Sequence, residues 1–231
     1  MPVLEHAGPF VKDLLIGYIT LFSIINPFGI AFVFLARTRG LTQPQRKALA
    51  RRIGIYAFAI VIVSFIIGTH IMRFFGITVP ALRIAGGLVV ALAGWKMLND
   101  PDPGDAATHD VSPNAARIEA MAFFPLTIPL TTGPGTIAAA IALGANRTGE
   151  LRAILSSIVA SLIVSLLVAG TITLAYANAV RFSRWVGQEG TRVVTRLSAF
   201  LLLCVGVQIM LTGITDVLSP LIAQGVQPHP R

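Results

Sequence analysis

The chain of 231 residues is 55% hydrophobic and 12% charged, with 18 Lys and Arg against 10 Asp and Glu for a net charge of +8. A mean hydropathy of +0.78 excludes a soluble globular domain of this size, and the dispersal of the basic residues excludes a nucleic-acid-binding module. The single cysteine, Cys204, excludes an intramolecular disulfide framework and reads as a small packing residue within an apolar run.

Crossing about 30 Å of hydrocarbon takes roughly 20 helical residues. Six runs are long and apolar enough: 11–36, 53–75, 79–98, 118–145, 153–179 and 196–218. They are continuous instead of alternating, which predicts an all-α polytopic membrane protein and not a barrel. The first run is expected to remain in the mature protein and not to act as a cleavable leader, because its basic cluster follows the apolar stretch and no small-x-small pattern closes it. Midway along it stands Asn26-Pro27-Phe28-Gly29, with Ser23 one turn before. Thr42 and Gln45 then have capping-box spacing, so the second helix starts in the basic segment ahead of its apolar run. The third run opens with Arg83 about a turn inside.

The segment 99–117 is polar and rich in Asp and Pro. Asp100, Asp102 and Asp105 lack the spacing and closing Glu of a calcium loop, so the segment reads as a solvated linker. The fourth run contains "PLTTGPGTI", with Thr131, Thr132, Gly133, Pro134, Gly135 and Thr136 at its middle. In the fifth, Ser157, Ser161, Ser165, Ala169, Thr173 and Ala177 recur every fourth residue, a small-residue ridge for helix packing within the bundle or, alternatively, at a homo-oligomer seam. A loop at 180–195 leads to the sixth run, which opens with Arg196. Trp95 and Trp185, at span ends, fit an aromatic belt.

Six crossings put 37–52, 99–117 and 180–195 on one side of the membrane. That side and its span ends hold twelve of the Lys and Arg residues, against six on the other, which predicts a cytoplasmic location for these loops and both termini outside. Those basic residues read as topology and headgroup anchors; a specific anionic-lipid site is the alternative.

Superposing Pro27 on Pro134 brings Ile30 onto Ile137 and the second run onto the fifth. Superposing Arg83 on Arg196 brings Leu88, Met97 and Leu98 onto Leu201, Met210 and Leu211. The expected organisation is two three-helix repeats, 1–98 and 118–231, joined by the linker 99–117. An odd number of spans per repeat places the second upside down relative to the first.

The two proline breaks therefore fall at equivalent depths near the bilayer centre. Backbone irregularity at that depth survives only where protein or a polar cavity satisfies it. Helix starts following the breaks suit a carboxylate, and carbonyls ending the preceding segments suit an ammonium or a cation. Ser23, Asn26, Thr131, Thr132 and Thr136 add neutral hydrogen-bonding groups, and Gly29, Gly133 and Gly135 permit close approach. Phe28, superposed on Gly135, is the candidate apolar wall limiting side-chain size. The alternative is that each proline merely kinks a helix. Arg83 and Arg196, at repeat-equivalent helix starts, are candidates for gating, carboxylate binding or pairing inside the bundle, with snorkelling to headgroups as the alternative.

No carboxylate lies deep in any span: Asp13, Glu119 and Asp216 are near ends and Asp100 is outside. A transition-metal exporter or an acid-relay proton pump is disfavoured on that ground. The four histidines are scattered without a paired acid or metal spacing, so no catalytic constellation, metal site or cofactor is expected.

The stretches "LFSIINPFGIAFVFL", "RIAGGLVVALAGWKML", "FPLTIPLTTGPGTI" and "RLSAFLLLCVGVQIMLTGI" resemble the four characteristic regions of the MarC family of bacterial inner-membrane proteins, over about residues 10 to 218. The resemblance implies six transmembrane helices as two inverted triplets, with the first and fourth broken, in a bacterial inner membrane. Some members are described as transporters of small neutral amino acids. By motif match, Asn26 to Gly29 and Gly133 to Thr136 carry over as substrate-binding positions, and Arg83 and Arg196 as family-pattern residues. The long linker rich in Asp and Pro departs from the family pattern.

The expected function is a secondary transporter of a small neutral amino acid such as glycine or alanine, working by alternating access, with sodium or a proton as the possible coupling ion. A non-transporting membrane component that modulates an envelope or stress partner, and a passive small-solute channel, are the alternatives.

Overall fold

The computed structural model describes residues 8–38, 40–99, 121–145 and 151–225. Among them every regular element is helical. The linker residues 100–117, together with Arg147, Gln227 and Arg231, lie outside the described residues, as does the start of the expected fourth span.

The first span is two helices, α1 (Pro9–Ile25) and α2 (Pro27–Arg37). Asn26 between them is left-handed, at φ 48° and ψ 58°. It closes α1 through its N–H, 2.9 Å from the Phe22 carbonyl, and Pro27 restarts the chain at the first helical position, where no amide donor is needed. After Thr38 the chain turns and α3 (Gln43–Phe74) begins as expected at the capping box. The Thr42 amide and hydroxyl both donate to Gln45 Oε1, at 2.9 Å each. α3 and α4 (Val79–Asn99) follow as continuous helices.

The expected fourth span, 118–145, is divided differently. Ala122–Thr131 is a π-helical segment with extended backbone at Phe124 and Ile128, and α5 (Pro134–Ala145) is a separate helix of 12 residues. At 1.5 Å per residue α5 covers only about 18 Å, short of the hydrocarbon thickness. Among the described residues five segments are long and apolar enough to cross a membrane alone: Phe10–Leu35, Gln43–Phe74, Val79–Asn99, Ile154–Ala177 and Glu189–Ser219. The fifth and sixth runs correspond to α6 (Leu151–Ala177) and α7 (Ala179–Gly225).

The loop expected at 180–195 is instead the start of α7, bent at Gly187, whose φ of 75° is open to glycine. The arm before the bend carries Arg181, Arg184 and a 90% exposed Trp185, a composition suited to the headgroup region. Cys204 is also corrected: it lies on an exposed face of α7 and not in the packed interior.

Between helices in lipid, dispersion and close backbone approach replace the hydrophobic drive. The most extensive interface is α4 against α7. A Cβ on Gly87 would meet the Met210 amide at 2.5 Å, one on Gly94 the Leu203 amide at 2.5 Å, and one on Gly213 the Pro80 carbonyl at 2.8 Å. These contacts run in opposite senses along the two helices, so α4 and α7 are antiparallel and lie backbone to backbone. The small-residue ridge of α6 packs inside the bundle over its second half, where Thr173 and Ala169 receive Gly54 of α3. Leu21, Phe34, Ile53, Leu126, Ile172 and Tyr176 are among the fully buried side chains at the centre.

Candidate functional site

At the first break, the Asn26 side chain faces both ways. Its Oδ1 accepts from the Gly29 amide at 3.3 Å, and its Nδ2 donates to the Ser198 carbonyl of α7 at 3.1 Å. One side chain thus caps α2 and ties the break to the last span. Pro27 and Gly29 are buried and Ser23 is half-buried. Gly29 lies so close to Ser198 that a Cβ there would reach Ser198 Oγ at 2.7 Å. Phe28 is 47% exposed and packs edge-on between Phe22 and Phe182, with ring centroids 6.0 and 5.9 Å away. The arm of α7 before Gly187 therefore touches the first break through Phe182.

At the second break the hydroxyls of three threonines wrap back onto backbone carbonyls five residues earlier. Thr127 donates to Ala122, Thr131 to Leu126 and Thr132 to Thr127, at 2.6, 2.6 and 3.2 Å. The Thr132 amide also reaches the Thr127 carbonyl at 2.8 Å. All three threonines, and Thr136 on α5, are buried. Thr131 Oγ1 lies 2.8 Å from the hydroxyl of Tyr176, whose ring stacks on Phe34 of α2 at 4.7 Å. Phe34, Tyr176 and Thr131 form a continuous link from the half-helix after the first break to the second break. Gly133 is half-buried and Pro134 exposed. Gly135 is pressed against α4, where a Cβ would overlap the Val90 side chain and approach the Gly86 carbonyl to 3.3 Å.

The two broken spans lie side by side, α1 next to α5 and α2 next to the π segment. Among the described residues no buried side-chain nitrogen or oxygen lacks a hydrogen-bond partner. The two breaks are therefore adjacent and polar, and Gly29 and Gly135 admit neighbouring helices.

The arginines differ from each other. Arg83 of α4 forms an ion pair with Asp216 near the end of α7, the two side chains being 25% and 34% exposed. Arg196 is exposed and meets no carboxylate among the described residues. Ser198, Tyr176, Val90 and Asp216 were not picked out by sequence as partners of the breaks and arginines. A signal existed for Tyr176, since a phenol within an apolar span needs a hydrogen-bond partner. It also existed for Asp216, because antiparallel third and sixth spans bring the end of one to the start of the other. Among the described residues no group of three or more metal-ligating side chains occurs.

Residues 11–218 match the family described as MarC family integral membrane protein. The UPF0056 inner membrane protein MarC of Escherichia coli (strain K12) is 32% identical over 216 residues, covering 90% of this chain and 96% of its own. The proteins of the same name in Escherichia coli strains UTI89 and SMS-3-5 show the same identity and coverage. No solved structure matches the chain. Its apolar helices, read with these relatives, make it a multi-pass inner-membrane protein. The chain belongs to the MarC family of integral membrane proteins.

Proposed function

We propose that the protein is a secondary transporter of small neutral amino acids working by alternating access, built as two inverted three-helix halves, 1–98 and 118–231, joined by 99–117. The observation that carries this reading is the reciprocal docking of the two broken spans. α2, after the first break, packs on α7 through Gly29 and Ser198, and α5, after the second, packs on α4 through Gly135 and Val90. Likewise α1 lies on α6 while the π segment lies on α3, and α2 lies on α6 while α5 lies on α3. Exchanging the halves maps each contact onto its counterpart, the arrangement expected of a pseudo-two-fold axis in the membrane plane. Supporting it chemically, the breaks combine two helix starts with an amide side chain and three buried threonine hydroxyls, groups that suit a zwitterion once the half-helices separate. Arg83 and Arg196 are assigned to the two ends of the pathway, and both termini to the outside.

Counterflow of labelled alanine in proteoliposomes containing the full chain tests this. Exchange that requires alanine on both sides supports a carrier. Uncoupled leak identifies a passive channel, and the absence of both identifies a non-transporting component. Repeating the exchange with and without a sodium or proton gradient identifies the coupling ion.

A further inference from the structure

Outside the two breaks, a cavity of about 170 Å³ opens at the end of the bundle where α1 and α6 begin and α5 ends. On the liquid-water scale of about 30 Å³ per molecule it has room for roughly six waters, or for one small ligand. Among the described residues its walls include Ile16, Gly17, Phe65, Leu143 and Val164, and its polar lining is the Asp13 carboxylate with Ser157 and Ser161. The first two serines of the α6 small-residue ridge line this cavity together with residues of α1, α3 and α5, and the Ser161 hydroxyl donates to the Ser157 carbonyl at 2.8 Å.

The charge balance makes this lining informative. Three carboxylates occur among the described residues, Asp13, Glu189 and Asp216. Glu189 pairs with Arg192 and Asp216 with Arg83. Asp13 alone of the three has no ion-pair partner among the described residues, and it stands at the rim of a recess whose other described polar groups are neutral hydroxyls. A carboxylate with hydroxyl oxygens in an apolar recess offers acceptors to a small cation and, beyond the serine hydroxyl protons, nothing to an anion.

We propose that this recess is a binding site for a small monovalent cation, either an alkali ion or a primary ammonium group, held by Asp13 with Ser157 and Ser161 as neutral ligands. Both sources present the same chemistry. The site is separate from the helix breaks, and its occupancy is read by equilibrium binding, so it stands or falls independently of transport.

The experiment uses the full chain in nanodiscs of zwitterionic lipid, with labelled methylammonium as the probe. Saturable binding is expected, weakened at least about tenfold in Asp13→Asn and restored in Asp13→Glu, since a charge-assisted contact to the cation is lost and regained. Ser157→Ala should weaken it by a smaller factor. Displacement of the probe by sodium identifies an ion site, and displacement by glycine identifies a site for the amine of a zwitterion. Displacement by neither leaves a site selective for simple ammonium, which still supports the proposal. Asp13 is exposed at a helix start, so its variants are expected to fold, and a monodisperse Asp13→Asn protein that binds methylammonium as tightly as the parent would overturn the assignment. Absence of saturable methylammonium and sodium binding to the folded parent protein would overturn it as well.

Discussion

Asn26 shows how much of a membrane break a single residue can supply. It occupies the left-handed region that asparagine tolerates better than most residues, and its amide satisfies an α2 donor and an α7 acceptor at once. Asn26→Ala should lose roughly 2–3 kcal/mol, because two hydrogen bonds at about 1 kcal/mol each disappear and alanine resists the dihedral angle. Asn26→Gly keeps the dihedral angle and should lose only the hydrogen-bond share. Equilibrium unfolding in mixed micelles separates the two, and equal losses would show that the backbone conformation is not what asparagine protects. The sequence made the break itself legible, since proline removes an amide donor inside an apolar run. It did not make the partner legible, because Ser198 is distant in the chain and becomes a neighbour only when α7 lies against α2.

At the scale of elements, the breaks differ in construction although their sequences superpose. The first is one left-handed residue between two regular helices, whereas the second is a π segment whose carbonyls accept from the hydroxyls of Thr127, Thr131 and Thr132. Hydropathy alone treats 118–145 as one span because it measures apolar content and is blind to backbone pairing. The loop assigned to 180–195 fails for a related reason: charge and a glycine interrupt the apolar pattern there while the backbone stays helical on both sides of Gly187. The glycines next to the breaks illustrate the limit most directly, since a sequence cannot say whether a missing Cβ makes room for a ligand or for a helix. Gly135 makes room for α4. Gly135→Ala should therefore destabilise the protein by about 1–3 kcal/mol through overpacking, and Val90→Ala in the same chain should recover most of that loss. Thermal unfolding of the single and double variants checks this, and a Gly135→Ala protein as stable as the parent would remove the α4–α5 crossing as its explanation.

For the molecule as a whole, the distribution of Lys and Arg fixes an expected orientation. In a Cys204→Ala background, a cysteine introduced at Gly40 should be shielded from an impermeant thiol reagent in intact cells, and one at Gln227 should react. Labelling of Gly40 in sealed cells would reverse the assignment. Replacing Cys204 is necessary because that thiol lies on an exposed face of α7.

The Arg83–Asp216 pair fastens α4 to α7 at one end of the bundle, while Arg196, toward the other end, is exposed and engages no described carboxylate. On the carrier reading proposed above, a clasp at one mouth only would keep the protein from idling symmetrically: it would rest with the clasped mouth shut, so that solute would meet a ready site from one side and a reluctant one from the other. Because the clasp is partly exposed, its contribution is modest, about 0–1 kcal/mol, which corresponds to a bias of up to roughly fivefold between the two resting states. In vesicles of uniform orientation, Asp216→Asn should bring the half-saturation values measured from the two faces closer together by up to about that factor, leaving the maximal exchange rate largely unchanged. An unaltered difference would mean that the preference for one direction is set elsewhere in the bundle.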